Sequence, residues 1–208
     1  MRTALASLMT FVFISTAATA AGAVEIQKSG PETFPSKHEI TANLGYQTGY
    51  GGTIANPSGF KLTADYAYQF HPIVWFDLQV NNVFGFGGAG GGCIATAATN
   101  CYYSGGWGLE LAGGVKLKFR TSIPLVVEVP LLIGATVLYN RECGDGGAAI
   151  AVHPGAGLKY FVTNRIGLGI QVSTAVGPGF HSTSKCHGGS YTDFYGYFDF
   201  MAGAEFLL

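Results

Sequence analysis

Three groups of residues in this 208-residue chain are of the types that enzymes and metal sites use. His153 lies on the polar face of an alternating segment, and with Glu128 nearby it would form an imidazole–carboxylate pair suited to proton transfer. His181-Ser182 would supply the base and nucleophile of an acyl-transfer site, but the two sit in a loop-like stretch. His181, Cys186 and His187, with Cys143, are zinc-type ligands in a spacing that matches no common site. The glycine-rich run from Gly85 to Gly92 is not a phosphate loop, because no Lys-Ser/Thr follows it. The reading is therefore of a protein with no catalytic residue, bound metal or cofactor. His153 is read as an interior polar group satisfied by its neighbours.

The elements that carry these residues show a period of two. From Gly59 to Phe70, Phe60, Leu62, Ala64, Tyr66, Tyr68 and Phe70 share one face, and Lys61, Thr63, Asp65 and Gln69 share the other. From Trp107 to Arg120, Trp107, Leu109, Leu111, Val115, Leu117 and Phe119 oppose Glu110, Lys116, Lys118 and Arg120. Further strands are predicted at Glu39 to Tyr46, Ile73 to Phe86, Leu125 to Tyr139, Ala148 to Val162, Arg165 to Val176 and Phe194 to Leu208. Most of the eight have the roughly 9 to 11 residues that a tilted strand needs to cross a bilayer. Short connections (His71-Pro72, Thr121 to Ile123, Thr163-Asn164) alternate with long ones (Gln47 to Ser58, Gly87 to Gly106, Asn140 to Gly147, Gly177 to Asp193). That alternation is the rule for bacterial membrane barrels.

Composition agrees. Charged residues are 11% of the chain and apolar residues 48%, too few charges to coat a water-soluble surface. Apart from the first twenty or so residues, no segment is apolar enough for a spanning helix. A net charge of -1 with no Lys/Arg cluster excludes nucleic acid as a partner. The N-terminus reads as a secretory signal peptide over residues 1–23, with Arg2 as the positive region, Ala4 to Thr16 as the apolar one, and cleavage after Ala20 or Ala23. Residues 24–37, with Pro31 and Pro35, read as a periplasmic linker, and 38–208 as the barrel.

Alternation alone does not say which face points out, and a lipocalin would invert it. The polar faces, however, are padded with Gly155, Gly157, Gly167 and Gly169, which suit a crowded lumen and not a solvated exterior. There is also no Gly-x-Trp near the mature start and no candidate C-terminal helix, both of which a lipocalin would be expected to show. With the apolar face outward, the lumen receives Glu39, Lys61, Asp65, Asp77, Glu110, Lys116, Lys118, Arg120, Glu128, Lys159, Arg165, Asp199 and Glu205. The lipid face receives no charge, as membrane insertion demands. The lumen charges are expected to pair across the barrel. Pro130 and Pro154 fall inside the fifth and sixth strands, where each removes a backbone donor. A pairing around the loop from Asn140 to Gly147 sets Pro130 about opposite Gly157 and Pro154 about opposite Ile133, which makes this hairpin a candidate weak seam. Two locally absorbed bulges are the plainer alternative.

On these residues the chain resembles the small eight-stranded outer-membrane barrels of the OmpA-transmembrane-domain, OmpX and OmpW type. The resemblance covers about residues 38 to 208, and its most specific element is the final strand, where Phe198, Phe200, Ala202, Ala204, Phe206 and Leu208 alternate to the last residue. It implies an all-β transmembrane antiparallel up-and-down barrel with a polar lumen and apolar exterior. It also implies recognition by the barrel-assembly machinery, contact with outer-membrane lipids and lipopolysaccharide, both chain ends in the periplasm and the long loops outside the cell. Family members usually end in an aromatic residue where this chain has Leu208, and no wall-binding domain is expected beyond it. Hydrolytic members carry a strand-borne His-x-Ser-Asn, which His181-Ser182 does not reproduce. The expected role is structural or surface interaction through the loops, with a ligand or partner protein on the outside. The alternatives are a narrow pore for ions or small solutes and an envelope-lipid-modifying enzyme of the lipid A hydrolase kind. Cys93, Cys101, Cys143 and Cys186 all fall in outer loops, and pairing of Cys93 with Cys101 and Cys143 with Cys186 is expected, although four cysteines allow three connectivities.

Overall fold

The computed structural model describes residues 34–50, 58–85, 106–140, 145–181 and 191–208. The signal peptide, the start of the linker, the glycine run beyond Gly85, His187 and all four cysteines lie outside the described residues, as does the side chain of His181.

Eight antiparallel strands close into one barrel in sequence order. They are β1 (His38–Gly49), β2 (Gly59–His71), β3 (Val74–Gly85), β4 (Gly106–Arg120), β5 (Leu125–Asn140), β6 (Asp145–Phe161), β7 (Ile166–His181) and β8 (Tyr191–Leu207). Closure is made by β1 on β8, in register from Glu39 opposite Leu207 to Gly49 opposite Tyr197. Closure leaves no sheet edge, so every strand is paired on both sides.

Four strands run three or more residues beyond the period-two reading at one end. β1 continues to Gly49, β6 starts at Asp145, β8 begins at Tyr191 and β7 continues to His181. The sequence there is turn-like (Gly177-Pro178-Gly179), but rungs to the neighbour such as Gly177 opposite Tyr195 and Gly179 opposite Asp193 hold it extended. Cross-strand pairing overrides local preference here.

The apolar face is the outer one. Leu44, Leu78, Leu111, Ile133, Ile150, Leu168 and Phe200 are all exposed on the outside of the barrel, while their sequence neighbours point inward. Aromatic residues gather at both rims. Tyr66, Tyr68, Phe76, Tyr160 and Phe206 lie toward the short-turn end, and Tyr46, Phe84, Trp107, Tyr139, Phe180 and Phe194 toward the other. Two aromatic girdles around an apolar band are what a barrel in a bilayer needs.

The prolines leave gaps in the pairing. Between Glu128 opposite Gly157 and Leu131 opposite Pro154, the β5–β6 ladder has no rung, which places Pro130 level with Gly155. A Cβ on Gly155 would lie 3.0 Å from the Pro130 Cγ. The expected register was thus two residues off: Pro154 faces Leu131 and not Ile133. The β6–β7 ladder breaks twice, between Ala149/Gly179 and Val152/Val176 and again between Val152/Val176 and Gly155/Ser173. Those breaks fall at Pro178, level with Ile150, and at Pro154, level with Thr174. A proline whose missing N–H would address a neighbour removes two consecutive rungs, since each rung rests on two hydrogen bonds. All three gaps have that form, so Pro130 weakens β5–β6 while Pro154 and Pro178 weaken β6–β7.

Candidate functional site

The polar residues converge inside the barrel, in two layers. The layer nearer the short turns is ionic. Lys118 Nζ reaches Glu128 and Glu205 at 2.8 Å and makes a still closer contact with Glu39. Lys159 Nζ lies 2.6 Å from Glu205 and 3.1 Å from Glu128, and donates to Thr41 Oγ1 at 3.3 Å. Lys116 Nζ is 3.1 Å from both Glu39 and Asp77 and 3.9 Å from Asp65. All of these side chains are buried. Alternation in β1, β2, β3, β4, β5, β6 and β8 aims them at one level of the lumen, where each ion pair is shielded from water and its partners become mutually obligatory.

An apolar cap closes this layer from below. Phe34, 5% exposed, stands edge-on to Trp75 at 5.0 Å between ring centroids, and clusters with Ala67, Val126, Phe161 and Leu207. The ammonium of Lys118 lies 4.8 Å from the Trp75 ring centroid and 5.3 Å from that of Phe34, within cation–π range. Phe34 thus corrects the reading of residues 24–37 as linker alone, since its side chain belongs to the barrel's core.

The layer nearer the long connections is built from hydrogen bonds around Tyr197 and Glu110. Glu110 accepts from Asn81 Nδ2 at 2.6 Å, Thr136 Oγ1 at 2.8 Å and Tyr197 OH at 3.2 Å. Tyr197 OH also stands 2.9 Å from His153 Nδ1. Lys61 Nζ donates to Asp199 at 2.5 Å and to Tyr197 OH at 3.2 Å, while Ser173 Oγ donates to the other Asp199 oxygen at 2.6 Å. Gly134 leaves the space His153 occupies, because a Cβ there would fall 2.6 Å from Nε2. Above it Leu138, Ala149, Ala151, Ala175, Tyr195 and Tyr197 form a second apolar cluster.

Of the charges assigned to the lumen, Glu39, Lys61, Asp65, Asp77, Glu110, Lys116, Lys118, Glu128, Lys159, Asp199 and Glu205 lie buried inside the barrel. Arg120 and Arg165 do not. Arg120 is the last residue of β4 and is exposed, with its guanidinium 4.5 Å from the Phe34 ring centroid. Arg165 is exposed in the turn between β6 and β7, where its carbonyl accepts from Leu207 N at 2.8 Å. Both have lumen parity but lie at or beyond the rim, where the wall no longer encloses them. The expected partnership of His153 with Glu128 is likewise corrected. His153 Nε2 is 3.5 Å from Glu110, one layer away from Glu128, which Lys118 and Lys159 hold.

Sequence reasoning missed Phe34, Trp75, Tyr197, Asn81 and Thr136. The last four had a signal: each shares strand parity with a charged lumen residue, Trp75 with Asp77, Asn81 with Gln79 and Asp77, Thr136 with Glu128, and Tyr197 with Asp199. Phe34 had none, because it precedes the first strand.

Glu39, Glu128 and Glu205 each offer a carboxylate oxygen within 4.8 Å of the others, a spacing that could hold a metal ion. The Lys118 ammonium contacts all three, so this acidic group already has a resident cation.

No family model matches the chain, and no curated protein does. Solved structures do. Neisserial surface protein A superposes with a TM-score of 0.56 at 11% identity, over 83% of this chain and 98% of that one. The outer membrane protein OprG from Pseudomonas aeruginosa superposes with a TM-score of 0.56 at 9% identity, over 84% and 97%. With eight antiparallel strands closed in sequence order, this chain has the fold of the small outer-membrane β-barrels.

Proposed function

We propose that this protein is a non-conducting outer-membrane barrel with a structural or surface-interaction role, its chain ends in the periplasm and its long loops outside the cell. The observation that carries this reading is the filled interior: an ionic layer and a hydrogen-bonded layer, bounded by the apolar clusters around Trp75 and Tyr195. An open pore needs a water-filled lumen, whereas here seven acidic and four lysine side chains, all buried, fill it (Glu39, Asp65, Asp77, Glu110, Glu128, Asp199 and Glu205 with Lys61, Lys116, Lys118 and Lys159). The exterior, apolar between aromatic girdles, suits a surround of outer-membrane lipid and lipopolysaccharide, and the alternating final strand suits handling by the barrel-assembly machinery. With the lumen filled, the long connections are what remains to meet a surface ligand or partner protein. Glu110, His153 and Tyr197 are enclosed inside the barrel and bound to one another through the Tyr197 hydroxyl, which favours a structural part over catalysis on envelope lipid.

Planar-bilayer recording of the refolded chain tests this directly. No stable conductance step is expected. Regular single-channel openings would replace this reading with a narrow pore, and a lipid A mass shift on overexpression would replace it with an enzyme.

A further inference from the structure

The ionic layer contains five carboxylates (Glu39, Asp65, Asp77, Glu128 and Glu205) but only three ammonium groups (Lys116, Lys118 and Lys159). Lys118 and Lys159 serve Glu128 and Glu205, and Lys118 and Lys116 share Glu39. Asp65 and Asp77 are left to Lys116. Asp65 is 3% exposed, neither of its oxygens accepts a hydrogen bond, and the ammonium stands off at 3.9 Å. Asp77 is fully buried and its Oδ1 is also without a hydrogen bond. Its Oδ2 takes Lys116 at 3.1 Å and the amide of Gln79 at 3.4 Å. Buried carboxylates with unfilled lone pairs and an excess of two negative charges call for a counter-charge.

We propose that Asp65 and Asp77 hold a hard divalent cation of the calcium class inside the barrel. A divalent ion matches the two-charge excess, and the available donors are all oxygen. They are both Asp65 oxygens, Asp77 Oδ1, and the side chains paired with Asp65 on either side, Thr41 across β1–β2 and Gln79 across β2–β3. Calcium takes roughly 6–8 oxygen ligands in flexible geometry, so these residues with water fit it better than they fit a transition metal. Gln79 joins by turning its amide oxygen inward, since amide orientation follows the hydrogen-bond network. The ion ties β2 to β3 at the level where Lys116 reaches across from β4, and the site differs from the Lys118 group in that Lys116, 3.1 Å from Asp77 Oδ2 but 3.9 Å from Asp65, leaves both Asp65 oxygens and Asp77 Oδ1 without a hydrogen bond. Protonation of the two aspartates is the competing way to neutralise the layer, and it requires no metal.

Trp75 supplies the probe: it is fully buried on β3, two residues from Asp77 and on the same face. The full chain, refolded in detergent with chelator and then given Tb³⁺, should show Tb³⁺ emission on tryptophan excitation, displaced by Ca²⁺. The emission should vanish in Asp65→Asn and in Trp75→Phe but survive in Trp107→Phe. Urea unfolding should show a folded-to-unfolded ratio about a hundredfold higher with Ca²⁺ at one hundred times its dissociation constant than with chelator, a response that Trp75→Phe retains and Asp65→Asn loses. If Asp65→Asn fails to fold, the two tryptophan variants decide. Emission that follows Trp107, emission that persists without Asp65, or stability indifferent to chelator would each overturn the proposal.

Discussion

The two halves of the barrel are held in different ways. Toward the short turns the lumen is ionic, capped by Phe34 and Trp75, and β6 keeps its rungs on both sides from Gly157 to Tyr160. Toward the long connections the lumen is hydrogen-bonded around Tyr197, and β6 loses rungs to Pro130, Pro154 and Pro178. One half thus combines strong interior pairing with a wall that β6 crosses without a gap and that is irregular at the rim between Gln69 and His71, and the other combines weaker pairing with proline gaps. The difference teaches that this barrel places its proline gaps away from its most heavily shared charges.

The sharpest way to break the comparison is to remove the ammonium that three carboxylates share. Lys118→Ala leaves Glu39, Glu128 and Glu205 facing one another without it, although Lys159 still reaches the last two. Removing one partner of a buried pair costs about 3–5 kcal/mol, so a loss of at least that size is expected in urea unfolding of the refolded protein. An unchanged midpoint would mean that the ionic layer does not anchor this half.

Lys61→Ala is the matched change in the other layer, and a smaller loss is expected. Asp199 keeps the Ser173 hydroxyl at 2.6 Å, and Glu110 keeps Asn81 and Thr136, so only part of the network is orphaned. Asp199 loses the ammonium of a buried ion pair but keeps a hydroxyl donor, which sets the cost toward the lower end of about 3–5 kcal/mol, below that of Lys118→Ala. Measured beside Lys118→Ala under the same conditions, an equal or larger loss would erase the proposed contrast between the layers.

Much of this was legible in the sequence because a strand's period is two. Parity alone placed Lys61, Glu110 and Lys118 inside and Leu62, Leu111 and Phe119 away from them. Parity says nothing about height, and that is why Arg120 and Arg165 were misplaced and why His153 was matched with Glu128 instead of Glu110. Height depends on how each strand is staggered against the next. A register error of two residues keeps every side chain on its correct face while moving it to a different layer, as happened at Pro130 and Gly155. Turn-like composition misled in the same way at Gly177-Pro178-Gly179, where the partner strand settles the conformation.

The smallest expected effect is also the most local, and it concerns the wall around β6. Because Pro154 would address Thr174 and Pro178 would address Ile150, each ring removes a donor aimed at β7, and the two gaps lie four residues apart on the same ladder. Amides of β6 and β7 between Ile150 and Pro154 and between Thr174 and Pro178 are therefore expected to exchange before those of β2 and β4, which lie in ladders without such gaps. Pro154→Ala restores a donor worth about 0.5–1.5 kcal/mol, but it also frees the unfolded chain, which costs about 0.4–1 kcal/mol. Global stability should hardly move, while exchange protection on this ladder should rise. That combination separates a backbone gap from a packing defect, because a proline whose ring fills a groove on the lipid face would lose stability on truncation and leave protection unchanged. Uniform protection around the wild-type barrel would show that the gaps are absorbed locally, and the broken-wall half of the comparison would then fall.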